Sequence, residues 1–141
     1  MPLSFRYDSV ADVMFVTASG VLTDGELREG ILRVLDDKAF HSKVRIFEDF
    51  TSVDEFRVSK RTIAELCSHE RVVTLRGRYA QLIFSPKGSM LLADSLVVVD
   101  SARFGRFYKR QEALDWLNQG MKEPKIISFE ASLPSPSRRP S

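Results

Sequence analysis

Carboxylates, hydroxyls and cations crowd into residues 48–61, where Glu48, Asp49, Thr51, Ser52, Asp54, Ser59, Lys60 and Arg61 follow one another. Three kinds of chemistry suit them. Asp49 and Asp54, if close, would split their pKa values as acid–base or metal-binding pairs do. No third ligand and no complete set of nucleophile, base and oxyanion donor accompanies them. Thr51, Ser52 and Ser59 offer hydroxyls that a kinase could phosphorylate. Ser59, with Lys60 and Arg61, would open a helix whose free N–H groups carry about half a positive charge, enough to hold an anion; its plainer role is to cap that helix. Catalysis is the least expected of the three, and no catalytic residue is assigned.

Elsewhere the reactive side chains are few. Cys67 and His69 stand two apart on an expected helix and do not face each other, so Cys67 reads as a small core residue. His41 falls in a turn, where it should be solvated. One cysteine and two histidines argue against a zinc site, and nothing points to a cofactor.

These residues need a scaffold. Val44, Ile46 and Phe47 form an apolar run of strand length, closed by Glu48 and Asp49, which resist full burial unless paired. Residues 50–58 read as a polar loop. Ser59 then caps a helix, with Val58 and Ile63 as its hydrophobic staple and Ile63, Leu66 and Cys67 facing inward. Upstream, residues 3–7 and 12–18 read as hairpin strands around the turn-prone Asp8-Ser9, and Val13 to Val16 lack alternation, as in a strand buried on both faces. Gly20 ends that run. Thr23 and Glu26 make a capping box, Leu22 and Leu27 staple it, and Leu27, Ile31, Val34 and Leu35 form an apolar stripe ending near residues 38–41.

Downstream, residues 79–84 read as a strand, and Ser85-Pro86 opens a helix carrying Met90, Ala93 and Val97. Residues 104–109 are the last strand. Residues 111–119 are the last helix, with Ala113, Leu114, Trp116 and Leu117 inward and Gly120 at C′. The order β-β-α-β-α-β-α-β-α predicts an α/β domain: a single mixed sheet of about five strands, about four helices on both its faces, and an N-terminal β-hairpin. In such sheets the binding rim lies where strand carboxyl ends meet helix starts, which puts residues 49–59 on it.

A chain of 141 residues suits one domain, and 43% apolar with 28% charged residues is an ordinary globular composition. Residues 1–120 should form that domain. Residues 121–141 should form a tail in which Ile126, Ile127 and Phe129 could cover an edge, while 133–141 are disordered. No apolar run reaches a membrane-spanning length and the N-terminus lacks a signal-peptide core, so a cytoplasmic location is expected. The single cysteine excludes an internal disulfide and fits a reducing compartment. Residues 1–120 hold 17 Lys+Arg against 17 Asp+Glu, so the net charge of +2 comes from the tail and a nucleic-acid partner is not expected.

Four stretches together resemble a known family: Gly20-Val-Leu-Thr-Asp-Gly-Glu-Leu27, Leu35-Asp-Asp-Lys-Ala-Phe40, Ile46-Phe-Glu-Asp-Phe-Thr51 and Phe107-Tyr-Lys-Arg-Gln-Glu-Ala-Leu-Asp-Trp-Leu117. Their order and spacing, across most of residues 4–118, resemble the STAS-like domains related to the bacterial anti-sigma-factor antagonists, in their single-domain SpoIIAA-like branch. The resemblance implies a non-enzymatic module that docks a protein partner of kinase or regulator type, or that holds a small ligand. In the antagonists a Ser or Thr at the start of the helix after the third strand is phosphorylated, and the added charge breaks the complex. Asp49-Phe50-Thr51 looks like the Asp-Leu-Ser opening that segment. Beyond it this chain reads Asp54-Glu55-Phe56-Arg57-Val58-Ser59, longer than the family's Asp-Ser-Ser/Thr-Gly and without its glycine.

The expected partner-binding or phosphoacceptor residues are thus Asp49, Thr51, Ser52, Asp54, Ser59, Lys60 and Arg61. The alternative is a small apolar-ligand or lipid-binding protein with a pocket between sheet and helices near Met90, Ala93 and Val97. Arg103, Arg106, Lys109 and Arg110 form a basic cluster that reads as a solvated edge or as a contact for an acidic head-group or phosphate. Phe5, Tyr7, Phe104, Phe107 and Tyr108 suggest an apolar pocket or homodimer face.

Overall fold

The computed structural model of the chain describes residues 2–83 and 103–119. β1 (Leu3–Asp8) and β2 (Val13–Thr23) form the hairpin; α1 (Asp24–Asp36), β3 (Arg45–Arg57), α2 (Lys60–Cys67), the single turn α3 (Glu70–Val73), β4 (Tyr79–Leu82), β5 (Phe104–Phe107) and α4 (Arg110–Leu117) follow. The strands make one five-stranded sheet in the order β1-β2-β3-β4-β5, antiparallel at β1–β2 and parallel at every other pair. The expected mixed α/β sheet with its N-terminal hairpin is present. The helix expected around Met90, Ala93 and Val97, the C′ residue Gly120 and the tail 121–141 lie outside the described residues.

Period-two alternation divides the strands' side chains between two apolar layers. On one face Met14, Val16, Ala18, Ile46 and Phe50 pack with Leu27, Val34 and Leu35 of α1 and Ile63 and Cys67 of α2. On the other, Val13, Phe15, Phe47, Ala80 and Leu82 pack with Ala113, Leu114 and Leu117 of α4. The unbroken apolar run of β2 is therefore used from both sides. Each such side chain contributes roughly 1.5–3 kcal/mol by leaving water. Helix α1 comes so close to β1 that a Cβ added at Gly30 would lie 2.6 Å from Leu3 Cδ2.

Both local helix starts are built as their residues dictate. Thr23 Oγ1 accepts from the Glu26 N–H at 3.3 Å while Glu26 Oε1 accepts from the Thr23 N–H at 3.2 Å, closing the capping box. Ser59 Oγ accepts from the Thr62 N–H at 3.2 Å, and the staple residues Val58 and Ile63 are buried in one core. Helix α1 stops at Asp36, short of the expected 38–41, because Asp37 turns extended and its side chain accepts from the Ala39 N–H.

The largest departure concerns residues 50–58, expected as a loop. Residues 50–57 continue β3, which pairs in parallel with β2 as far as Thr23↔Arg57. β2 likewise runs on past Gly20, whose φ of +70° absorbs an irregularity that a residue with a Cβ would resist. The β2–β3 register slips once between Thr17 and Ser19 and again between Gly20 and Val21, each time with the extra residue in β3. Such bulges break strict alternation, bend the strand and re-aim its side chains. The last strand also ends sooner than expected, at Phe107.

Candidate functional site

β4 pairs with β3 only from Ile46↔Tyr79 to Asp49↔Leu82, and β1 pairs with β2 only as far as Ala18. Beyond those limits β2 and β3 continue as a two-stranded ribbon which, among the described residues, has no strand on either outer edge. The ribbon carries Ser52, Asp54 and Glu55 as exposed residues and ends against the start of α2, where Ser59, Lys60 and Arg61 are exposed. Five of the seven expected site residues thus share one rim.

That rim is tied together at its base. Ser59 donates its backbone N–H to Asp24 Oδ1 at 2.6 Å, joining the N-termini of α1 and α2, and this hydrogen bond is the main cause of a lowered Asp24 pKa. Arg28 of α1 donates to Thr62 Oγ1 at 3.2 Å and to Glu65 Oε1 at 3.1 Å on α2. The hydroxyl of Ser59 is occupied by Thr62, as acceptor from its N–H and donor to its Oγ1. The Ser52 hydroxyl has no hydrogen-bond partner among the described residues.

Asp49 lies apart from that rim. It points to the α4 face: Oδ2 accepts from Arg110 Nη1 at 2.9 Å, and Oδ1 accepts from the Thr51 N–H at 2.9 Å and from the Thr51 hydroxyl at 2.6 Å. Arg110 also stacks over Phe47, 5.0 Å from the ring centroid. The Asp49 side chain is 18% exposed and serves as a structural anchor for α4, with Thr51 held beside it. Asp49 and Asp54 share no hydrogen bond, so they form no carboxylate pair.

A second polar cluster escaped the sequence reading. Glu48 is buried at the centre of the sheet on the α1/α2 face, where Oε1 accepts from Gln81 Nε2 at 2.8 Å and Oε2 accepts a short hydrogen bond from the Tyr79 hydroxyl. Burial pushes its carboxyl pKa up against the opposing pull of those two donors. The Tyr79 phenol is driven well above its usual value by the same burial and by the nearby carboxylate. Gln81 Oε1 in turn accepts from Arg106 Nε at 3.4 Å, so a polar row crosses β3, β4 and β5. The signal for it was the acid closing an apolar strand: such a group is buried only with partners.

The remaining expectations resolve individually. His41 is exposed but engaged, with Nε2 2.9 Å from both Asp12 carboxylate oxygens while Nδ1 accepts from the Lys43 N–H. Cys67 is a buried core thiol, its pKa pushed up to about 11 by desolvation first and by the Glu48 charge second. His69 instead caps α3 through the Arg71 N–H. In the basic cluster, Arg110 is held by Asp49 and Arg106 by Gln81 and the Phe104 ring, which removes two of its four cations from a phosphate contact. Nor do the five aromatics form one face. β1 and β5 are opposite edges of the sheet, Phe104 packs on Tyr79 and Phe107 on Trp116, and only Tyr108 is strongly exposed. Met90, Ala93 and Val97 lie outside the described residues.

Among solved structures the chain is similar to an uncharacterised protein of the DUF3478 family from Shewanella loihica PV-4, described as having a SpoIIAA-like fold. The TM-score is 0.56 at 16% identity, covering 82% of this chain and 93% of that one. Its fold is SpoIIAA-like. No family model matches the sequence, and neither does any curated protein. In this chain the β2–β3 pairing runs to Arg57, and Ser59 starts α2 directly after it. Among the described residues no His, Cys, Asp and Glu group could hold a metal ion, and no helix is long and apolar enough to cross a membrane.

Proposed function

We propose that the chain is a non-catalytic STAS-like docking module, with the exposed end of the β2–β3 ribbon and the start of α2 as its partner-facing surface and Ser52 as its phosphorylatable switch. One observation carries the reading: two strands outrun their neighbours and deliver Ser52, Asp54, Lys60 and Arg61 to a single exposed rim. A strand end whose outer edges carry no further strand among the described residues offers backbone groups and alternating side chains to a partner protein, a recurrent mode of protein recognition.

The choice among hydroxyls follows from their bonding. Thr51 donates to Asp49 and Ser59 caps α2, so modification at either would first cost a structural contact. Ser52 is exposed, and its hydroxyl engages no described residue. A phosphate there would add about two negative charges beside Asp54 and Glu55, where like-charge repulsion disfavours whatever contact that rim had made.

The test is partner capture by tagged wild-type, Ser52→Ala, Ser52→Asp and Asp54→Lys proteins, with bound proteins quantified by mass spectrometry. A protein retained by wild type and Ser52→Ala, and reduced at least tenfold by Ser52→Asp and by Asp54→Lys, is the expected result. Identical capture by all four proteins would remove the ribbon from any docking role.

A further inference from the structure

The even charge balance of residues 1–120 hides an asymmetry. At the amino ends of the parallel strands, the loop before β3 and the turn before β4 are backbone neighbours: the Arg76 N–H donates to Ser42 O at 2.6 Å, and a Cβ on Gly77 would lie 2.8 Å from Lys43 O. Residues 38–45 and 69–78 together hold six Lys and Arg (Lys38, Lys43, Arg45, Arg71, Arg76 and Arg78) against one carboxylate, Glu70, with Asp36 and Asp37 flanking at the end of α1 and Asp12 reaching His41 from the β1–β2 turn. Arg71 and Arg78 are partly spent on backbone oxygens, of Leu35 and Trp116 respectively. Lys38, Lys43 and Arg76 are exposed and form no ion pair among the described residues.

On the same rim Val73 is 67% exposed on α3, a helical turn with no buried residue. An exposed aliphatic side chain on a rim that also carries exposed cations is the composition of a surface that rests on an anionic bilayer, where the apolar group enters the head-group layer and the cations meet its phosphates. The same arrangement suits single-stranded nucleic acid less well, because stacking on bases needs exposed aromatics. The one aromatic of these two loops, Phe40, is buried.

We propose that the strand amino-end rim formed by Lys38, Lys43, Arg76 and Val73 is a peripheral docking surface for anionic lipid bilayers. It lies at the end of the parallel strands opposite the β2–β3 ribbon, so a protein partner and a membrane could be engaged together. The inference does not depend on the docking role of the ribbon.

Cosedimentation tests it, using phosphatidylcholine vesicles with and without phosphatidylglycerol at low and high salt. Wild-type protein pellets with the anionic vesicles alone and is released by salt. Lys43→Gln with Arg76→Gln lowers the partition coefficient by on the order of 25-fold, from roughly fivefold for each charge removed, and Val73→Ser lowers it severalfold. Lys109→Gln, one positive charge removed at the other end of the strands, leaves it unchanged. All these positions are exposed, and circular dichroism verifies that each variant is folded. Failure of the wild type to pellet with anionic vesicles, or an equal loss in Lys109→Gln and Lys43→Gln, overturns the proposal, as does tight binding to DNA at the same salt without vesicle binding.

Discussion

Glu48 is the side chain whose environment most constrains its behaviour. A carboxyl held between a phenol and an amide in an apolar layer keeps its proton to a higher pH than it would in the unfolded chain. The stability this contributes is complete below the unfolded carboxylate range, near pH ~4.3. It is lost as pH rises from there through the raised native value, because in that window the unfolded chain has given up a proton that the native state retains. A single group of this kind imposes a slope of at most about 1.4 kcal/mol per pH unit. Urea titrations across mildly acid to neutral pH should therefore show stability falling in the wild type and a flatter profile in Glu48→Gln, which keeps a hydrogen-bonding group of the same shape but cannot ionise. Equal slopes in the two proteins would mean that Glu48 titrates as an exposed acid. The burial of Glu48 was legible only by half: its place in an apolar strand was plain, but its donors come from β4, which is more than thirty positions away in the sequence.

What could be read from the chain directly was whatever a few neighbouring residues decide among themselves. The Thr23–Glu26 box and the Ser59 cap are of that kind, each a local competition for free N–H groups worth about 1 kcal/mol. The extension of β3 is not. Ser52 and Asp54 are poor strand residues taken alone, and the bulges spread the buried or half-buried Phe50, Val53, Phe56 and Val58 over spacings that no period of two detects. Pairing with β2 overrides local preference, so residues 50–57 join the sheet where local composition suggests a loop. Glycines separate the two situations in a measurable way. Gly77→Ala would bring a Cβ to 2.0 Å from Val44 O, a backbone atom that cannot step aside, and should cost about 1–3 kcal/mol. Gly25→Ala, in the first turn of α1 with nothing within 4 Å, should stabilise by about 0.4–1 kcal/mol by restricting the unfolded chain. Denaturant midpoints at constant m-value report both, and a neutral Gly77→Ala would mean that the β3 and β4 loops do not meet as described.

The molecule as a whole carries its own reporter. Cys67 lies in the layer shared by α1, α2 and the sheet, and its thiol is held up to about pH 11, so the reactive thiolate is scarce and shielded. Labelling by a disulfide reagent at mildly alkaline pH should be at least ~10³-fold slower in the native protein than in urea, and should accelerate in step with global unfolding. Immediate labelling would show that α2 opens independently of the sheet.

The strand order has a consequence for how the chain is made. Spatial sequence and chain sequence coincide from β1 to β5, so every strand emerging from a ribosome finds its neighbour already waiting and none must be inserted between earlier ones. The layer of Phe15, Phe47 and Leu82, however, is closed by the helix synthesised after all five strands. A nascent chain halted before Arg110 would display that greasy surface without the one described helix that packs on it, and the interval before α4 leaves the tunnel exposes it to aggregation.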